Sequence, residues 1–245
     1  MLQGQFKLRS FVKERVCQAF DTIDYALHHP QTTLRHQAHQ ETVAFITQNC
    51  PRAVSCRTPK QLIDIALNRV NVVGYYLEFG VFKGGSISYI AKKYKNKVVY
   101  GFDCFTGLPE TWVHHDVDAF SLEGKLPKVP ANVHLVKGYF DETLPEWLEK
   151  HPEKAAFVHV DCDLFSSTKT VLDCLADRLQ PGTILLFDDY FNFPSWQLDG
   201  HLAFKEFVEE KKITFSYIGY SYKELAIRID TVPDSISVAK NSVHI

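Results

Sequence analysis

The 245-residue chain balances 27 basic against 29 acidic side chains, a formal net charge of -2, so bulk charge argues against nucleic acid or an anionic membrane surface as partner. Hydrophobic residues at 45% and charged residues at 23% suit a soluble globular protein with a large core, and no apolar run nears the roughly 18 residues of a membrane span. Six cysteines without a CxxC pair read as free thiols of a reducing, cytoplasmic compartment, and Met1-Leu2-Gln3-Gly4-Gln5 does not read as a secretory start.

Helical periodicity runs from about residue 6 to 70. Phe11, Val12, Val16, Phe20, Ile23 and Leu27 recur at three- and four-residue steps and mark one apolar face. His28-His29-Pro30 ends this helix, because proline disfavours helix at the residue before it. A second helix runs to about Thr47 and breaks at Cys50-Pro51. Thr58-Pro59-Lys60-Gln61 opens a third, with threonine as N-cap. The apolar stripe needs a partner surface, which is either the rest of the chain or a second copy in a homodimer. His28, His29, His36 and His39 read as a solvated helix face rather than a metal site. The domain division expected is a helical extension over 1–70, an α/β domain over 71–230 and a polar tail over 231–245.

From Val73 strands alternate with helices, the mark of a largely parallel sheet covered on both faces. Strands are expected at Tyr75–Phe79, Lys97–Asp103, Val133–Val136, Ala156–Val160 and Ile184–Phe187, with Phe215–Ile218 and Leu225–Ile229 as a closing pair. The first strand runs into Gly80-Val81-Phe82-Lys83-Gly84-Gly85-Ser86, a glycine turn at a helix start, with Ser86 as the expected N-cap. Such a corner favours an anionic group of a ligand. Its spacing is Gly-x-x-x-Gly-Gly, which argues against a nicotinamide dinucleotide enzyme, the alternative reading of this sheet.

Acids end the strands: Glu78, Asp103, Asp161, and the pair Asp188-Asp189. Converging carboxylates repel one another, so a positive group should offset them. Asp103 lies where an acid meets a ribose diol in nucleotide-binding sheets. Asp161, Asp188 and Asp189 offer hard oxygen ligands suited to Mg²⁺, Mn²⁺ or Ca²⁺. The structural alternative makes Asp163 a helix cap and Asp188 a turn cap.

Four stretches, Glu78–Ser86, Gly101–Glu110, Val160–Thr168 and Phe187–Tyr190, occur in the order found in class I S-adenosylmethionine-dependent methyltransferases of the macrocin O-methyltransferase type, which the chain resembles over about residues 73–230. The resemblance implies a Rossmann-like, doubly wound sheet of seven strands, the last antiparallel, behind the N-terminal helical extension. It implies S-adenosylmethionine as cofactor, Mg²⁺ or another divalent cation, and a hydroxyl of a small molecule, sugar or natural-product-like, as acceptor. By the same resemblance Glu78, Gly80, Phe82, Gly84, Gly85 and Ser86 hold the amino-acid end of the cofactor, and Asp103 the ribose. Phe140 and Asp141 flank the adenine. Asp161, Asp188 and Asp189 bind the metal, with Asp161 also near the cofactor. Asp163 is the candidate general base, Asp161 shares or exchanges that role, and His201 is a second base candidate. Two segments, Asp103–Asn132 with Trp112, His114, His115 and Phe120, and Tyr190–Trp196, are expected either to cover the acceptor or to tuck onto the core. A non-catalytic scaffold on the same sheet is disfavoured by the intact aspartate set.

Overall fold

The computed structural model describes residues 2–113 and 115–233, with side chains from Lys13 onward. The side chains of Phe11 and Val12, the residue His114 and the tail beyond Pro233 lie outside the described part.

Helices α1 (Leu2–His28) and α2 (Pro30–Asn49) part at the expected proline. His29 caps α2, its Nδ1 accepting the Gln31 N–H at 3.2 Å, with Pro30 opening the first turn where no N–H is needed. Thr58 caps α3 (Pro59–Asn68), its hydroxyl oxygen accepting the Gln61 N–H at 3.2 Å. Strands β1 (Val54–Ser55), β2 (Tyr75–Phe79), β3 (Val99–Asp103), β4 (Val133–Lys137), β5 (Ala155–Val160), β6 (Ile184–Phe187), β7 (Thr214–Tyr220) and β8 (Leu225–Thr231) build one sheet. Helices α4 (Gly85–Lys93), α5 (Phe140–Lys150), α6 (Phe165–Leu175) and α7 (Gly200–Lys211) connect them.

The sheet order is β1-β7-β8-β6-β5-β2-β3-β4. Strands β4 through β6 are parallel, and β8 runs antiparallel to both β6 and β7, as the closing pair predicts. The count is eight rather than seven. The addition is β1, which pairs in parallel with β7 through Val54 and Ser55. Both its residues are exposed, so it leaves no alternating pattern to read.

Side-chain alternation sorts the strands between two apolar layers. Leu77, Phe79, Phe102, Val158 and Phe187 pack with α5, α6 and α7. Tyr76, Phe157, Ile184 and Leu186 pack with α3 and α4 through Leu62, Ile63, Ile87 and Ile90. Helix α3 therefore belongs to the sheet's covering layer, although its periodicity continues that of the first two helices. Helix α2 docks on the domain through Phe45, whose ring meets those of Tyr190, Phe191, Trp196, His201 and Tyr217. Helix α1 leaves Val16, Phe20, Ile23 and Leu27 exposed, Phe20 at 68%. No helix among the described residues is long and apolar enough to cross a membrane.

Candidate functional site

The site lies outside the carboxyl ends of β2 to β6, at the switch point between β2 and β5 where an open parallel sheet leaves a crevice. Gly80 has φ +89°, and a Cβ there would stand 1.7 Å from the Asp161 carbonyl oxygen, so only glycine fits where the two strand ends pass. Asp103 holds the turn that follows. Its Oδ2 accepts the N–H groups of Val81 and Phe82, each at 2.8 Å, and its Oδ1 accepts that of Phe105 at 2.6 Å. Phe82 and Phe105 sit at φ +46° and +59°, a left-handed conformation costly for such side chains that the carboxylate helps to maintain.

Three expectations for this corner need correction. The N-cap of α4 is Gly84, at φ +77° and without a side-chain hydrogen bond, not Ser86. Ser86 lies inside the helix, and its hydroxyl donates to Glu78 Oε1 at 2.8 Å. Glu78 is fully buried and faces away from the cavity, with Oε2 at 2.9 Å from His159 Nδ1. The reason is register. Glu78 pairs with His159 across β2 and β5, so both project into the layer beneath α4. Gly84, Gly85 and Ser86 likewise do not line the cavity, and Gly84 faces Val129 and Pro127 instead.

His159 extends the network. Its Nε2 stands 4.0 Å from Asp188 Oδ1. Burial pushes its imidazole down, but the hydrogen bond and charge of Glu78 outweigh burial and hold it above its ordinary value. The sequence signal for this pair is an ionisable residue inside the otherwise apolar Phe157-Val158-His159-Val160.

The cavity holds about 630 Å³. Gly80, Phe82, Asp103, Phe140 and Asp141 line one part, the last two from the first turn of α5. Asp161, Asp163, Asp188 and Asp189 line another, from the ends of β5 and β6. Trp112, His115 and Phe120 close it from the long loop. Burial and the neighbouring carboxylates of Asp188 and Asp163 raise Asp161 well above the usual range. Burial, then Asp189 and Asp188, push Asp163 up to about 8. Asp188 is pushed up to about 6 by burial, against the pull of His159. Asp163 adopts φ +63°, a further strained position, and it does not cap α6, whose N-cap is Leu164.

Oxygens of Asp161, Asp163 and Asp189 come within 4.8 Å of one another, as do ligand atoms of His159, Asp161 and Asp188. Mutual repulsion in a buried place, with all-oxygen donors in the first group, fits a hard divalent cation. Lys223, from the β7–β8 turn, stands 2.9 Å from Asp189 Oδ1. Nothing in Ser221-Tyr222-Lys223-Glu224 marks it beforehand, because only the fold brings that turn to the strand ends.

One further expectation fails. His201 does not reach the cavity; it is ringed by Phe45, Tyr190 and Trp196, and burial pushes it down to about 4. Tyr190, Phe191, Phe193 and Trp196 are buried in the core beside it rather than over an acceptor. The long loop does cover the cavity, and two bonds tie it down. Trp112 Nε1 donates to Asp199 Oδ2 at 3.2 Å, and Ser166 donates to Glu110.

A family model described as a methyltransferase domain matches residues 77–190, the span from β2 to the end of the acid cluster. Over that stretch the chain is similar to a methyltransferase domain. The chain is 30% identical over 143 residues to the 8-demethyl-8-(2,3-dimethoxy-alpha-L-rhamnosyl)-tetracenomycin-C 4'-O-methyltransferase of Streptomyces olivaceus, covering 49% of this chain and 54% of that protein. It is 29% identical over 148 residues to the mycinamicin III 3''-O-methyltransferase of Micromonospora griseorubida, covering 50% and 57%. The match thus spans about half the length of these curated relatives. Among solved structures, the calicheamicin methyltransferase CalS11 aligns with a TM-score of 0.57 at 20% identity, over 82% of this chain and 93% of that one. The O-methyltransferase NovP aligns at 0.55 and 22%, over 70% and 80%. At these identities the structural likeness speaks for the fold alone.

Proposed function

We propose that the protein transfers the methyl group of S-adenosylmethionine to a hydroxyl of a small sugar-like or natural-product-like acceptor, with a divalent cation held by Asp161, Asp188 and Asp189. One observation carries the reading: four aspartates and the Gly80 turn face a single cavity large enough for a cofactor and a small acceptor together. The two curated relatives, named as O-methyltransferases of a rhamnosyl-tetracenomycin and of mycinamicin III, support the acceptor class.

The sulfonium of the cofactor supplies an already activated methyl group, so the protein's task is alignment and deprotonation. Gly80 lets the ends of β2 and β5 pass closely beside the cavity, and Asp103 fixes the turn that would receive the cofactor. Asp103 Oδ1 accepts only the Phe105 N–H, which leaves it capacity for a ribose hydroxyl. Phe140 and Asp141, which line the cavity from the first turn of α5, would flank the adenine. A bound cation would lower the pKa of the acceptor hydroxyl and orient it. Asp163, which lines the cavity beside Asp161 and Asp189, would take the hydroxyl proton. Trp112, His115 and Phe120 exclude water and present flat faces to the acceptor.

The test is thermal. A ligand at a hundred times its Kd stabilises by about 2.7 kcal/mol, which in a chain of this size raises Tm by roughly 5–10 °C. Mg²⁺ should raise the Tm of the wild type and not that of Asp188→Asn, while S-adenosylhomocysteine should raise both. A wild-type melt indifferent to Mg²⁺ and Mn²⁺ would remove the cation, and one indifferent to S-adenosylhomocysteine would remove the cofactor.

A further inference from the structure

The acids share their cavity with one strong base. Among the described lining residues Lys223 is the only lysine or arginine. Its surroundings hold it there. The Lys223 carbonyl accepts the N–H groups of Tyr190 at 2.9 Å and Phe191 at 3.3 Å, which locks the β7–β8 turn to the segment carrying Asp188 and Asp189. Asn192 reinforces the junction, its Nδ2 donating to the Tyr222 carbonyl at 2.8 Å. The neighbouring Glu224 carboxylate is occupied by the Lys223 N–H at 3.1 Å and by the Ser221 hydroxyl. The ammonium is thereby left to Asp189, at 2.9 Å, with its other side over the Phe193 ring at 5.5 Å.

We infer that Lys223 is a resident counter-ion of the cation site, competing with a divalent cation for Asp189. The inference rests on the cation reading above and asks what this chain's own charge does to it. Asp189 belongs with Asp161 and Asp163 to one of the two groups whose ligand atoms lie close enough to share a cation, and the ammonium already sits on one of its oxygens. A divalent ion on the same carboxylates would stand within a few ångströms of that ammonium, in a cavity where water screens poorly. Both cannot hold Asp189 at full strength. The lysine can yield, because its side chain is 35% exposed on a flexible stem whereas that of Asp189 is 13% exposed on a fixed strand end. The tethered ammonium offsets the repulsion among the aspartates when no cation is bound. It also weakens cation binding, so the concentration at which the site fills is set by a residue outside the aspartate motifs.

The experiment titrates Mn²⁺ into wild type, Lys223→Met and Lys223→Arg, reading free Mn²⁺ by electron paramagnetic resonance, with cation-free Tm measured on each. Lys223→Met should bind Mn²⁺ about five- to ten-fold more tightly than wild type, the return of an ion pair of order 1 kcal/mol. Its cation-free Tm should fall. Lys223→Arg keeps the charge and should stay near wild type in both. Lys223→Gln replaces the methionine variant if that proves insoluble. Equal or weaker Mn²⁺ binding by the neutral variants, with wild type binding, overturns the competition and leaves the cation site standing. No Mn²⁺ binding by any of the proteins overturns the cation reading and the competition with it.

Discussion

Replacing Asp103 separates a residue that builds the site from one that merely borders it. The carboxylate accepts the N–H groups of Val81 and Phe82, in the turn after β2, and of Phe105, in the loop after β3, at 2.6–2.8 Å, and Phe82 and Phe105 have strained backbone. Hydrogen bonds to an ionised acceptor are worth about 1.5–3 kcal/mol each, but water reaches this half-buried place and the three are not additive. Asp103→Ala should therefore cost about 3–4 kcal/mol, lowering Tm by roughly 6–16 °C in a chain of this size. Asp103→Asn can set its amide oxygen where Oδ2 stands and keep the Val81 and Phe82 bonds. Its amide nitrogen then confronts the Phe105 N–H, for a loss of about 1–2 kcal/mol. Circular-dichroism melts give the stabilities, and calorimetry with S-adenosylhomocysteine gives the affinities. An Asp103→Ala protein melting within about 2 °C of wild type would refute the reasoning. Lost affinity with an unchanged melt would show that the carboxylate serves the ligand and not the turn.

Substituting His159→Leu strands Glu78 at 0% exposure with only Ser86 as partner, and urea unfolding should report a loss of about 3–5 kcal/mol. The double variant Glu78→Gln with His159→Leu should recover part of it, and a double variant no better than the single one would contradict the pairing. Phe45→Ala removes the ring that fastens α2 to Tyr190, Trp196 and His201, at a cost of about 2–3 kcal/mol for a partly buried aromatic. Limited proteolysis near Pro51 should release the first two helices faster than in wild type, while a cleavage pattern that does not change would show that other contacts hold them.

The frame of the fold was legible because it follows from period and punctuation. Pro30 and Thr58 stand where the helices break and begin, and the switch from helical spacing to alternating strands falls where β2 starts. Asp161, Asp163, Asp188 and Asp189 were legible because strand ends in a parallel sheet converge, so acids there must share a space. The parity of a side chain at a strand end is harder to read. Glu78 was assigned to the cavity, yet one residue of alternation turns it inward to His159. His201 misled for a different reason. It begins a helix near the site, but the aromatic rings that enclose it come from α2 and the segment after β6, and no local pattern announces that meeting. Lys223 is the same case in reverse, a plain turn residue delivered to the acids by topology.

The bond between Glu78 and His159 bears on any attempt to exchange parts with a relative. It joins β2, which leads to the cofactor corner, with β5, which leads to the aspartates, across the line where a breeder of chimaeras would cut. Grafting a foreign acceptor half from β5 onward onto this cofactor half would bring in whatever residue that relative carries opposite Glu78. An apolar one there would leave a carboxylate sealed in the interior of a hybrid whose two motifs were each intact. Such libraries should carry the two positions as one inherited unit, and their viable members should be found among the clones that kept both or lost both.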